Sequence, residues 1–267
     1  MSAGSLEAAL RSRRSAGAKL VVPYVTGGLS DDWTDVLAAV VDAGADAVEV
    51  GIPFSDPVMD GPTIQSASAR ALARGTTPAS ILADLRRAPV NVPLVAMTYY
   101  NLVYRSGHLR FARSLAAAGV AGAIIPDLPL EESATWETEA AEGGIETVLL
   151  AAPVTPDDRL AAIAGRSRGF VYGVSRMGTT GERVRLADSA RIMARRLKAV
   201  TDRPVLIGFG ISTPEQAAEV CAEADGVVVA SALVRSLLDG GGPTEAAAFV
   251  AALRRAVDGG AGTGAAG

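Results

Sequence analysis

The chain has 267 residues, of which 49% are hydrophobic and 20% are charged, and its formal net charge is −4. This composition predicts a globular protein with a large core, and the lack of a basic stripe argues against nucleic-acid binding. No apolar run reaches membrane-spanning length and the first residues lack the apolar segment of a signal peptide, so we expect a soluble cytoplasmic protein.

Two residue types restrict the chemistry further. Cys221 is the single cysteine, so an internal disulfide is excluded, and its apolar surroundings predict a packing role. His108 is the single histidine, so this chain cannot by itself build a site from two or three histidines, and we predict no metal site. We expect His108 on the surface near a helix start. Acid–base chemistry therefore falls to carboxylates and tyrosines.

Short apolar runs rich in Val, Ile and Ala alternate with longer helical patterns along the chain. The predicted strands are residues 19–25, 47–50, 94–98, 121–125, 147–150, 170–174, 205–207 and 226–229. The predicted helices are residues 6–14, 32–43, 63–73, 79–85, 107–118, 130–141, 156–164, 189–200, 214–222 and 244–257, with a short helix beginning near Ser231. Alternation of this kind indicates parallel strands joined by crossover helices.

Eight strand–helix units favour a closed (β/α)8 TIM barrel of the α/β class. The alternative is a doubly wound open sheet, but TGGLSDD after the first strand is neither a dinucleotide-binding motif nor a P-loop. We predict a single domain over residues 1–258, with an extra N-terminal helix and extra short helices after strands 2 and 8. Residues 259–267 are predicted to form a disordered Gly/Ala-rich tail.

The second strand contains an acid among small apolar residues, in the stretch ADAVEVG. Side chains alternate along a strand, so Val48 and Val50 would face the surrounding helices, while Ala47 and Glu49 would point into the barrel. Glu49 then lies at the mouth, the end of the barrel at which the strands finish and active sites are built. The alternative is a structural salt bridge, but only Arg176 is a basic residue near another strand end. We favour proton transfer, because a poorly solvated carboxyl group has a raised pKa.

The loop after this strand adds two more acids, Asp56 and Asp60. Asp-Pro and Asp-Gly pairs are ordinary turn sequences, so each residue alone reads as a turn residue. Asp60 gains weight from its pairing with Glu49 across one mouth, because two carboxyl groups in different environments can take different roles. We predict that Asp56 serves the turn.

Three glycine-rich segments follow strands 6, 7 and 8, at residues 171–182, 207–213 and 227–233. Exposed backbone amides, small side chains and a helix that begins near Ser231 are typical of a phosphate site on the last strands of a barrel. The sequence therefore predicts a phosphorylated substrate, held at one end by backbone amides and acted on at the other by carboxylates.

Longer motifs resemble a known family, the tryptophan synthase alpha chain. The stretch GADAVEVGIPFSDPVMDGPTIQ is similar to the family's signature around its two catalytic acids. Supporting stretches are VPYVTGG, YYNLVYRSG, PDLPLEES, YGVSRMGTTG and GFGISTPEQ, and the resemblance runs from about Val21 to Leu238. It implies a carbon–carbon lyase that cleaves indole-3-glycerol phosphate to indole and glyceraldehyde 3-phosphate in tryptophan biosynthesis.

The resemblance also implies roles for individual residues. Glu49 would be the acid–base residue, Asp60 would bind the indole N–H, and Tyr172 would orient the site. Thr180 would order Asp60 from a closing lid at residues 176–185. The residues expected to line the indole pocket are Tyr24, Ile64, Met97, Tyr99, Val174 and Phe209. The residues expected to hold the phosphate are Gly181, Gly210, Ala230 and Ser231.

A partner is implied as well. The alpha chain of this family docks on a beta subunit that uses pyridoxal phosphate, commonly as an alpha2-beta2 heterotetramer, and indole passes between the subunits. We see no pyridoxal phosphate site in this sequence, so no cofactor is expected in this chain and that cofactor is assigned to the partner. The expected contact regions are residues 53–60 and 101–107.

Four positions depart from the residues usual in the family. Met59 stands in place of alanine, Met177 in place of a small polar residue, Ala230 in place of glycine, and Tyr24 in place of phenylalanine. None of these changes removes a catalytic group.

Other functions stay open at this point. One alternative is a stand-alone lyase that releases free indole. A second is a mainly regulatory binding subunit of a beta partner, although the intact Glu49 and Asp60 pair argues against it. Outside the family, another phosphosugar-handling barrel such as an isomerase is the remaining candidate.

Overall fold

Eight parallel strands close into a barrel in the computed structural model, which describes residues 4–175, 186–208 and 210–261. The strands are β1 (Leu20–Thr26), β2 (Val48–Gly51), β3 (Leu94–Met97), β4 (Val120–Ile124), β5 (Glu146–Ala151), β6 (Val171–Val174), β7 (Val205–Gly208) and β8 (Gly226–Val229). Each strand pairs with the next, and β8 pairs with β1. The predicted TIM barrel is confirmed and the open sheet is excluded.

Helices surround the barrel and connect its strands. They are α1 (Ser5–Ser15), α2 (Trp33–Asp42), α3 (Pro62–Ala73), α4 (Pro78–Leu85), α5 (Tyr100–Ser106), α6 (His108–Ala116), α7 (Ala134–Glu142), α8 (Asp157–Arg166), α9 (Leu186–Lys198), α10 (Pro214–Cys221), α11 (Ser231–Leu238) and α12 (Pro243–Ala261). The extra helices α1, α4 and α11 lie where the sequence predicts them. The final helix ends at Ala261 rather than at the predicted residue 257.

The helix α5 was not predicted. Its seven residues, YNLVYRS, are too few for a helical apolar repeat to stand out. Gly107 separates it from α6 with φ at 80°, a left-handed conformation that glycine adopts without steric cost. Instead of one helix over residues 107–118, the segment after β3 therefore has two helices joined at Gly107.

The bottom of the barrel, where the strands begin, is closed by α1. Leu6 is fully buried and packs where side chains at Gly122 and Gly169 would otherwise stand. The buried carboxylate of Glu146 accepts hydrogen bonds from the Leu6 amide (2.7 Å) and the Glu7 amide (3.2 Å). A carboxylate at a helix N-terminus satisfies free N–H groups, so Glu146 caps α1 from another element.

Buried acids at the bottom are also paired with bases. Glu7 contacts Arg11 and Arg203, Asp46 contacts Arg13 and Arg254, and Asp225 contacts Arg14 and Lys198, at 2.7 to 3.4 Å between charged atoms. Pairing of this kind offsets the cost of removing charges from water. The acids at the mouth of the barrel are arranged differently.

Across the described ranges, no helix combines the length and the apolar character needed to cross a membrane. The buried single cysteine, Cys221, packs in the core as predicted. His108 begins α6, and its Nε2 lies 3.1 Å from the Tyr100 hydroxyl oxygen.

Candidate active site

Glu49 lies inside the barrel mouth, as strand alternation predicts. The register of the sheet places it beside Tyr24 on β1 and Val95 on β3. Its side chain is only 4% exposed, and its Oε2 has no hydrogen-bond partner among the described residues. A buried carboxyl oxygen without a partner is costly unless the group is neutral or receives a partner from a ligand.

Asp60 belongs to a tight turn between β2 and α3. Its amide donates to the Pro57 carbonyl (3.0 Å), and its own carbonyl accepts from Gln65 Nε2 (2.8 Å). Asp56 instead is exposed and accepts from the Ser55 hydroxyl (2.6 Å). The two acids of the loop therefore differ in the way the sequence predicts, with Asp60 turned to the site and Asp56 to solvent.

The two acids have different protonation behaviour. Burial, followed by the charge of Asp60, raises the pKa of Glu49 to about 8. Burial raises the pKa of Asp60 to about 6, although a hydrogen bond from Tyr99 acts in the opposite direction. No positive group among the described residues offsets these shifts. Near pH 7 Glu49 is therefore a neutral acid and Asp60 a fixed negative charge, the division of roles expected of a carboxyl pair in unlike environments.

Three tyrosines surround this pair. Tyr24, Tyr99 and Tyr172 are each at most 5% exposed. Burial raises the pKa of all three above the usual range, and the charge of Asp60 adds to each shift. Their hydroxyl groups therefore remain protonated and act as neutral hydrogen-bonding groups over the mouth.

Two glycines make room for these rings, and the sequence reasoning missed them. Gly51 is the next inward position after Glu49 on β2, and a Cβ there would collide with the Tyr24 hydroxyl. Gly208 on β7 has the same relation to Tyr172. Each of these glycines ends its strand, and the neighbouring strand carries a tyrosine that points into the barrel. Only the strand register shows that the glycine and the tyrosine meet.

Three of the residues predicted to line the indole pocket are apolar side chains within the described part of the chain. Ile64 on α3, Met97 on β3 and Val174 on β6 are buried, each 6% to 8% exposed, near the strand ends. Phe209, Thr180 and the predicted lid at residues 176–185 lie outside the described residues, as does Gly181.

The predicted phosphate end lies on the last two strands. Gly210 follows β7 with φ at 91°, a conformation that favours glycine. Ala230 follows β8 with φ at −116°, so this turn does not require the positive φ that would favour glycine. Ser231 is the first residue of α11 and is exposed. Free amides at this helix start face the same end of the barrel as Glu49.

A (β/α)8 barrel whose mouth holds a carboxyl pair, with no positive partner among the described residues, is typical of an enzyme that works by acid–base chemistry on a small molecule. Comparison with known proteins makes this specific. The family described as Tryptophan synthase alpha chain matches residues 10–257.

Individual relatives agree with this match. The tryptophan synthase alpha chain of Gloeobacter violaceus is 48% identical over 86% of this chain and 84% of its own length. The one from Streptomyces avermitilis is 44% identical over the same shares. A structure of Mycobacterium tuberculosis tryptophan synthase aligns with a TM-score of 0.87 and 39% identity, over 96% of this chain and 99% of that chain.

The chain therefore belongs to the tryptophan synthase alpha chain family. Membership confirms the predicted resemblance and the predicted lyase class. The chain is an alpha subunit of the enzyme that cleaves indole-3-glycerol phosphate in tryptophan biosynthesis.

Proposed function

We propose that Glu49 and Asp60 carry out the retro-aldol cleavage of indole-3-glycerol phosphate. The observation that supports this is the pair itself, with buried, neutral Glu49 beside half-buried, negatively charged Asp60 and no positive partner among the described residues. The reaction needs a proton donor, a proton acceptor and a counter-charge for a cationic ring. These two side chains provide all three functions.

In the first step Glu49 gives its proton to the indole carbon that carries the glycerol chain. The ring becomes a cation, and Asp60, which accepts a hydrogen bond from the indole N–H, stabilises that charge. Glu49, now ionised, takes the proton of the adjacent glycerol hydroxyl. The carbon–carbon bond breaks, its electron pair returns to the ring, and indole and the aldehyde of glyceraldehyde 3-phosphate result. Acid–base assistance of this kind contributes about 10²–10⁴-fold.

The remaining predicted residues hold the substrate. Tyr172 orients the reacting centre. Tyr24, Ile64, Met97, Tyr99, Val174 and Phe209 line the indole pocket. Gly181, Gly210, Ala230 and Ser231 bind the phosphate, and Thr180 orders Asp60. The burial of the described pocket residues and the helix start at Ser231 support this arrangement.

The partner is proposed to be a beta subunit, in an alpha2-beta2 heterotetramer in the cytoplasm, which would itself carry the pyridoxal phosphate. The exposed apolar side chains of the mouth support a docking face here. Val58 is 77% exposed, Met59 49% and Tyr104 68%, in the two predicted contact regions. Large apolar side chains so exposed are typical of an interface.

The test is a pair of conservative variants, Glu49→Gln and Asp60→Asn, assayed for release of glyceraldehyde 3-phosphate. We expect both to lose at least about 10²-fold in kcat while circular dichroism and partner binding are retained. The matched control is Glu132→Gln, which changes an exposed glutamate beyond β4. Unchanged cleavage in Glu49→Gln would overturn the assignment.

Addition of a beta subunit separates the subunit from a stand-alone lyase. We expect cleavage to become faster when the beta subunit is added. We also expect indole to pass to the beta subunit rather than to be released. A rate that is already high alone and does not rise on mixing would favour the stand-alone enzyme.

A further inference from the structure

Tyr99 contacts the β2–α3 loop, which carries Asp60, at two points. It lies between β3 and α5 and is 2% exposed. Its ring stacks on Phe54, with centroids 5.2 Å apart and planes at 22°. Phe54 lies in the first half of the loop that carries Asp60, so the ring contact holds this part of the loop against the end of β3.

The Tyr99 hydroxyl contacts the other end of the loop. Its oxygen accepts a hydrogen bond from the Met59 amide at 3.0 Å. A phenol has one proton to donate, and burial keeps that proton on Tyr99. Asp60 follows Met59 directly, and a hydrogen bond from Tyr99 lowers the pKa of Asp60 against the larger effect of burial. One hydroxyl therefore serves two neighbouring residues of the turn.

We propose that Tyr99 is a positioning residue for Asp60: the Tyr99 hydroxyl fixes the backbone of the turn at Met59 and thereby sets the position of the adjacent Asp60 carboxylate. This inference rests on the proposed function, in which Asp60 must be ionised and aimed at the indole N–H. This role differs from that of a residue that only lines the indole pocket, because a lining residue would contact the substrate through its ring alone.

The surroundings of Asp60 explain why such a residue is needed. The titratable groups that face it are Glu49 on β2, Tyr24 on β1, Tyr172 on β6 and Tyr99 itself. None of them is positive, and no cation among the described residues compensates the buried charge. A hydrogen bond donated to a carboxylate stabilises its ionised form, and this donor comes from a rigid, stacked side chain.

The test compares Tyr99→Phe with Tyr100→Phe in the purified full chain. Tyr100 is the next residue, and its hydroxyl contacts His108 rather than either acid. In Tyr99→Phe we expect kcat to fall about threefold near pH 6.5 with KM changed less than about twofold. The acid limb of the pH profile should move up by about one pH unit, so that activity partly recovers at higher pH. Tyr100→Phe should show neither change.

A second measurement does not depend on turnover. The carboxyl carbon of Asp60 is followed by NMR during a pH titration, and Asp60→Asn identifies the signal. In Tyr99→Phe this carboxyl group should titrate at higher pH than in the unaltered chain. An unchanged titration, or a loss of activity equal at every pH, would overturn the positioning role.

The two proposals fail in different ways. If Asp60→Asn still cleaves the substrate, the catalytic assignment is wrong, while the NMR titration continues to decide whether Tyr99 positions Asp60. If Asp60→Asn is inactive and Tyr99→Phe behaves as Tyr100→Phe does, the proposed function stands and this inference is wrong.

Discussion

Burial of Glu49 should make the barrel less stable as pH rises, and replacement by glutamine should remove this effect. The ordinary pKa of a glutamate is 4.5, and in the folded chain that of Glu49 is about 8. A raised folded-state pKa means that the folded chain holds the proton more tightly than the unfolded chain. The associated stability is fully present below about pH 4.5 and is lost as pH rises through about 8.

The size of the effect follows from the same two values. Ionising Glu49 inside the barrel costs about 5 kcal/mol relative to the unfolded chain once pH exceeds 8. Near pH 5 the cost is about 1 kcal/mol, because most of the group is still protonated in the folded state. A neutral glutamine has the same shape and no such cost. The stability advantage of Glu49→Gln over the unaltered chain should therefore be about 3–4 kcal/mol larger at pH 8.5 than at pH 5.

The assay is urea unfolding of both chains at pH values from 5 to 8.5, with the free energy of unfolding extrapolated to water. Exposed Glu132, changed to glutamine, is the control for loss of a carboxylate in solvent. A stability difference between Glu49→Gln and the unaltered chain that does not change with pH would refute the reasoning. It would mean that Glu49 is solvated or paired with a positive group.

Two further substitutions test the packing that supports the site. Gly51→Ala places a methyl group on the Tyr24 hydroxyl, so we expect a loss of about 1–3 kcal/mol in urea unfolding together with reduced cleavage. Gly165→Ala, in α8 with open space around it, should not destabilise, and equal losses in both variants would contradict the collision. Leu6→Ala empties the bottom of the barrel and should cost about 2–5 kcal/mol, measured the same way; a loss below about 1 kcal/mol would show that α1 does not close the core.

Periodicity was sufficient for the main architecture. Each predicted strand begins and ends within one residue of an observed strand. The agreement arises because strands covered on both faces require continuous apolar runs. Short elements were harder to predict. Helix α5 has too few residues for a repeat, and its limits depend on β3 before it and on Gly107 after it.

Glu49 and Asp60 also differ in how far the sequence could predict their positions. Alternation along β2 and the barrel rule were sufficient to place Glu49 at the mouth. Nothing local to Asp60 distinguishes it from a turn residue such as Asp56, because both stand in ordinary turn sequences. Its half-buried position comes from the packing of the β2–α3 loop, in which the amide of the adjacent Met59 donates to the Tyr99 hydroxyl.

By itself, the sequence determined the barrel class, the inward face of Glu49 and the family, because each depends on patterns that follow one another along the chain. Tertiary structure alone decided which groups meet at the mouth. Gly51 leaves space for Tyr24 only through strand register, and Tyr99 reaches the Met59 amide 40 positions earlier in the chain. The pKa values of the two acids were decided at this level too, because desolvation depends on everything that packs around a group and not on its neighbours in sequence.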